Sequence, residues 1–124
     1  VCDIDQRLQS KKSKKTLIDA ISKAERNNII VSLSNESFEI WLLAHFCRIE
    51  SVMKNREQAQ KVAIKQGIVR GHDGKEIVAD RITKDSISVA IKEIERLRGI
   101  YGNDIITSAP MTDVDKLVSK INFN

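Results

Sequence analysis

The pattern that most narrows what this chain can fold into is a strand, a helix and a second strand within its first 35 residues. Val1-Cys2-Asp3-Ile4-Asp5 reads as a short strand ending in acid. Gln6 to Lys15 is a polar, basic connection carrying Lys11, Lys12, Lys14 and Lys15. From Thr16 to Asn28 the apolar residues Leu17, Ile18, Ile21 and Ala24 recur at helical spacing, with Thr16 placed to cap the helix and Asn27-Asn28 to end it. Ile29-Ile30-Val31-Ser32-Leu33 is a β-branched run of strand length that closes at Ser34-Asn35. Parallel strands need a crossover of this size, so the segment predicts a right-handed βαβ unit.

The remainder reads as helical. Phe38 to Arg48 places Phe38, Trp41, Leu42 and His45 on one face behind the capping-type residues Ser34, Asn35 and Ser37. Val52 to Gln66 predicts a helix stopping at Gly67, and Arg70-Gly71-His72-Asp73-Gly74 a turn. Thr83 to Arg98 carries the stripe Ile87, Ala90, Ile91, Ile94 and Leu97, with Gly99 as its stop. After Pro110, Thr112 and Asp115 have capping-box spacing ahead of Val114, Leu117, Val118 and Ile121. The expected class is therefore α/β. A βαβ parallel-sheet core over residues 1–50 precedes a helix-rich half over 51–124, all within one domain.

Composition excludes several classes. Hydrophobic residues make up 41% of the chain and charged residues 31%, as in ordinary globular proteins. The longest apolar run, Ile40 to Cys47, contains His45 and is far shorter than the ~20 residues a bilayer requires. Two cysteines, Cys2 and Cys47, lie in no metal-pair spacing, so a reduced, cytoplasmic setting is expected. Aromatic residues are 4% of the chain, too few for a broad base-stacking platform. Basic residues exceed acidic ones, 21 against 17, which favours a phosphate-bearing partner without identifying one.

Asp3 and Asp5 are the sharpest chemical feature. On a strand they share a face with Cα atoms about 6.5 Å apart. Their mutual repulsion, roughly 2–3 kcal/mol at an effective dielectric of 20, would be offset by a hard cation such as Mg²⁺ or Mn²⁺. Solvated carboxylates at a strand exit explain them equally well. Glu39 opens a helix after the second strand, where a parallel arrangement brings it near Asp3 and Asp5. There it would complete a metal shell or simply suit the positive helix end. His45 reads as a ligand or as a hydrogen-bonded core residue. Ser34 and Asn35 would offer polar groups to a phosphate or cap a helix. Lys11, Lys12, Lys14 and Lys15 would contact a nucleic-acid backbone or form a solvated loop. No Gly-rich phosphate loop, GxSxG elbow or CxxC pair is present.

Together these segments resemble the RloB-like family, proteins with a Toprim-type domain found with prokaryotic restriction and abortive-infection systems. Val1-Cys2-Asp3-Ile4-Asp5 is similar to the family's strand ending in DxD. Ser34-Asn35, Phe38-Glu39-Ile40-Trp41-Leu42-Leu43 and His45-Phe46 resemble its SNPxFExWLLLHF signature. Ala109-Pro110-Met111-Thr112-Asp113-Val114 with Leu117-Val118 resembles its NPST-x-V-x-x-LV segment. Departures are Glu36-Ser37 in place of proline and a small residue, and Ala109-Pro110-Met111 in place of Asn-Pro-Ser. The family's EGxxTE-like segment, with its glutamate on an earlier strand, has no counterpart here. The expectation is that N-terminal sequence precedes this chain and that its active site is incomplete alone.

The resemblance implies a Mg²⁺-dependent nucleic-acid phosphodiesterase, a DNA nuclease of anti-phage defence. Asp3 and Asp5 would hold the metal, and Glu39 and His45 would be motif residues of the active site. The expected partners are nucleic acid (DNA in the first instance), a separately encoded ATPase and a second copy of the chain, with no membrane. The rival is a non-catalytic module binding nucleic acid or a partner within a defence complex. A haloacid-dehalogenase-type phosphatase also starts from DxD, but Arg7 stands where its Thr or Val belongs.

Overall fold

The computed structural model describes residues 2–4, 11–71, 76–106 and 108–121. Strand β1 (Cys2–Ile4) runs parallel to β2 (Leu33–Asn35), with Asp3 opposite Ser34 and Ile4 opposite Asn35. Helix α1 (Lys11–Arg26) lies in the connection between them. A third strand, β5 (Met111–Thr112), pairs antiparallel with the other edge of β2, so the sheet is small and mixed, in the order β1-β2-β5. β2 is central and wholly buried. It is clamped to β5 by a 2.7 Å hydrogen bond between the Ser34 and Thr112 hydroxyls, and Asp113 N–H donates to the Leu33 carbonyl at 2.7 Å.

Several boundaries differ from the sequence expectation. The basic run is not a loop: α1 begins at Lys11 and takes in all four lysines, because lysine is a good helix former. Thr16 is not its cap but sits inside the helix, with its hydroxyl donating to the Lys12 carbonyl. The expected end is correct. Asn28 adopts φ 60°, and the N–H groups of Ile29 and Asn28 return to the Ala24 and Glu25 carbonyls, a Schellman closure. The second strand is shorter and later than expected, with Ile29 and Ile30 58% and 60% exposed. β-branched residues form strand only where a partner ladder and a covered face exist, and β1 offers its partners at Leu33–Asn35.

The C-terminal half is helical, as expected. Helix α2 (Glu39–Ala44) is buried from Ile40 to Ala44 and ends short of the expected Arg48. A 3₁₀ turn (Ser51–Lys54) precedes α3 (Arg56–Lys65), so the single helix expected over Val52–Gln66 is divided. Asn55 divides it: its backbone is extended and its side chain accepts from the Glu57 and Gln58 N–H groups, which starts a new helix at Arg56. Gly67 ends α3 at φ 68°. An unforeseen pair of short antiparallel strands follows, β3 (Val69–Arg70) and β4 (Glu76–Ile77); most of the turn expected there lies outside the described residues.

After a second 3₁₀ turn (Ala79–Arg81), α4 (Lys84–Tyr101) starts with a Thr83–Ser86 capping box. It runs through Gly99, and the glycine that ends it is Gly102 at φ 92°. Helix α5 (Val114–Lys120) closes the described chain. Its expected Thr112–Asp115 capping box does not form, because Thr112 is a strand residue and Asp115 is committed to Arg98. The core joins α2 to α3 and α4. Ile40, Leu43, Ile68, Ile94 and Leu97 are almost fully buried, and Ala59, Ala63 and Ala90 let the helices approach closely. Each large aliphatic side chain buried this way is worth about 1.5–3 kcal/mol. No helix among the described residues is long and apolar enough to cross a membrane.

Candidate active site

Parallel pairing of β1 and β2 puts their carboxyl ends side by side, where α/β sheets hold ligands. Asp3 stands at that end of β1, and β2 leads through three residues into α2, whose first residue is Glu39. Asp3 senses the charge of Glu39. Burial raises the Asp3 pKa, the Glu39 charge raises it further, and the Arg56 charge with the Phe38 N–H hydrogen bond only partly counters them. Arg56 Nη2 lies 3.8 Å from Asp3 Oδ2, with side chains 53% and 29% exposed, so the ion pair itself contributes less than about 1 kcal/mol. Ser37, between the strand and the helix, is buried, and its hydroxyl has no hydrogen-bond partner among the described residues.

These groups form an acidic pair flanked by one cation. Carboxylate oxygens are the donors Mg²⁺ prefers, and Mg²⁺ is commonly held through one or two carboxylates with its remaining positions filled by water. The destabilised Asp3 carboxylate beside Glu39 fits that requirement. No cluster of three or more His, Cys, Asp or Glu side chains suited to a metal exists among the described residues. Asp5 lies outside the described residues.

His45 is not part of this grouping. It caps the far end of α2, about 9 Å along the helix axis from Glu39. Its Nδ1–H donates to the Trp41 carbonyl at 2.8 Å, and its ring meets Trp41 edge-on at 4.7 Å. The side chain is 4% exposed, and burial pushes its pKa down. Its Nε2 is buried with no hydrogen-bond partner among the described residues.

A family model described as RloB-like protein matches residues 1–121. The chain belongs to the RloB-like family. No curated protein and no solved structure matches it.

Within this RloB-like chain, Ser34 and Asn35 turn inward. Ser34 is fully buried against Thr112. Asn35 donates through Nδ2 to the carbonyls of Ile105 at 3.0 Å and Ile106 at 3.2 Å, tying β2 to the segment after α4. Neither presents its side chain to a phosphate at the start of α2, and the N-cap position there is Phe38, without a side-chain cap. Lys11, Lys12 and Lys15 are exposed and Lys14 half-buried on the first turns of α1. Arg56 is the site residue that sequence reasoning missed. Its signal was a cation immediately after the N-cap Asn55, where the helix dipole disfavours positive charge. A nearby carboxylate relieves that disfavour, and Asp3 supplies it.

Proposed function

We propose that this RloB-like chain carries the carboxylate side of a Toprim-type, metal-dependent nucleic-acid phosphodiesterase, acting as a DNA nuclease in anti-phage defence beside a separately encoded ATPase. The observation that carries the reading is the convergence of Asp3 and Glu39 at the carboxyl end of the parallel strands, with Arg56 at their side. Asp3 and Glu39 would hold Mg²⁺ or Mn²⁺, which when bound polarises a phosphoryl oxygen and lowers the pKa of bound water. Asp3 accepts the Phe38 N–H and is thereby held at the strand end. Arg56, half-exposed beside Asp3, would offer its guanidinium to a phosphate oxygen, for which its planar fork is suited.

The test is calorimetric titration of Mg²⁺ and Mn²⁺ into the full-length protein and its Asp3→Asn and Glu39→Gln variants, with cleavage of labelled DNA followed in parallel. Binding and cleavage that both disappear in the variants support the reading. Metal binding without cleavage in the unsubstituted protein overturns the enzyme and favours a nucleic-acid- or partner-binding module.

A further inference from the structure

The net positive charge of the chain is concentrated on one helix. Six of its 21 basic residues and two of its 17 acidic residues lie in α1, so the remainder, 15 of each, is neutral and the helix carries the whole +4. The cations are Lys11, Lys12, Lys14, Lys15, Lys23 and Arg26, against Asp19 and Glu25. None of the six forms an ion pair with a described carboxylate.

Apolar surface lies uncovered beside that charge. No residue of α1 is buried, and Leu17, Ile21 and Ala24 of its stripe are only half-buried. Ile18 is 49% exposed. By helical spacing Lys14 and Lys15 are its neighbours one turn back, with Lys11 a turn further. Just past the helix, Ile29 and Ile30 are 58% and 60% exposed and line a groove with Lys120, an exposed cation of α5. Exposed isoleucines thus stand among cations at both ends of a helix about 24 Å long.

Several polyanions are attracted to such a helix, and the isoleucines choose among them. A nucleic-acid backbone pairs with cations but gains nothing from isoleucine, and α1 has no aromatic side chain on which a base would stack. Protein interfaces are rich in arginine and aromatic residues and poor in lysine, whereas α1 carries five lysines, one arginine and no aromatic residue. A second copy meeting the first through α1 would bring net charges of one sign together. An anionic lipid surface uses both features, since its headgroups attract lysine and its acyl boundary accepts isoleucine. The expectation of no membrane followed from the lack of a spanning run, and a helix lying in the interface requires none.

We propose that α1 and the Ile29-Ile30 segment dock on the surface of an anionic bilayer. Lys11, Lys15 and Lys120 meet lipid phosphates, and Ile18, Ile29 and Ile30 enter the boundary between headgroups and acyl chains. This attachment is independent of the carboxylates Asp3 and Glu39.

The test is co-sedimentation of the full-length protein with vesicles of phosphatidylcholine alone and of an equal mixture with phosphatidylglycerol, at ~0.1 M salt, where charges act over about 10 Å. Two variants are compared, Lys11→Gln/Lys15→Gln and Ile18→Gln/Ile29→Gln/Ile30→Gln. The unsubstituted protein is expected on the anionic vesicles only. The lysine variant should bind at least about tenfold more weakly, since each lysine near such a surface is worth about fivefold. The isoleucine variant should lose at least about fivefold through its missing apolar contact. All five substitutions are at exposed positions, and equal thermal midpoints verify that folding is intact.

A protein that ignores anionic vesicles, or binds neutral ones equally, overturns the proposal. An isoleucine variant that binds as tightly as the unsubstituted protein also overturns it, because the attraction is then charge alone. Polyglutamate or duplex DNA that strips the protein from the vesicles at equal charge concentration overturns it in favour of an acidic protein or a nucleic acid.

Discussion

Helices α1 and α4 are nearly equal in length and both carry an apolar stripe, yet they end in opposite situations. α4 buries Ala90, Ile94 and Leu97 against α2 and its neighbours. None of the 16 residues of α1 is buried, and Ile18 is 49% exposed. A stripe specifies which face a helix would bury, while the amount buried depends on what stands opposite. α4 meets α2, which is itself buried from Ile40 to Ala44. α1 connects β1 to β2 of a three-stranded sheet in which β1 spans only three residues.

The same contrast holds for charge. Arg98 donates both Nη atoms to Asp115, at 2.5 and 2.6 Å, and reaches the Thr112 carbonyl, joining α4 to β5 and α5. Asp115 is 5% exposed in that pair, whereas Arg56 and Asp3 meet near the surface at 3.8 Å. Arg98→Met should therefore destabilise by about 3–5 kcal/mol, since it leaves a buried carboxylate without its partner. Arg56→Ala should cost less than about 1 kcal/mol. Urea unfolding of the two variants measures the difference, and equal losses would break the comparison.

Packing gives the next largest effect. Ile94→Ala, at a fully buried position, should cost about 2–5 kcal/mol. Ile18→Ala in α1 should stay within about 0.5 kcal/mol of the parent. Hydrogen exchange sharpens the point: α1 amides should exchange through local opening while those of α4 require global unfolding.

The two ends of α2 separate by pH. Burial lowers the His45 pKa, so its contribution is complete above the unfolded value near 6.5 and is lost as pH falls through the folded value. The stability of the parent should then decline by up to about 1.4 kcal/mol per pH unit, and His45→Gln should remove that component from unfolding curves at pH 5 and 7.

Asp3 has the opposite sign. Its raised pKa gives a contribution present below 3.8 and lost as pH rises through the folded value. Asp3→Asn should thus be slightly more stable at pH 7, by less than about 1 kcal/mol at so accessible a site. Added Mg²⁺ should reverse that order in thermal melts if the carboxylates bind it. A melting temperature insensitive to Mg²⁺ would remove the metal from the proposal.

Much of this molecule is readable from short-range signals. The parallel strand–helix–strand start, the Asn27-Asn28 helix end, the Thr83 start of α4 and the order of the helices follow from periodicity and capping, which act over a few residues. The motif segments that mark the RloB-like family are likewise local strings. What tertiary structure alone decided spans tens of residues. Ile29 and Ile30 look like strand but have no ladder to join. Ser34 and Asn35 look like a phosphate cradle but are claimed by Thr112, Ile105 and Ile106. Arg56 reaches Asp3 from more than fifty positions away, and His45 is carried to the other end of α2. Caps and stripes are decided by neighbouring backbone groups, so a sequence exhibits them directly. Strand partners, buried ion pairs and the grouping of site residues depend on which distant surfaces exclude water together, and no local string of residues encodes that.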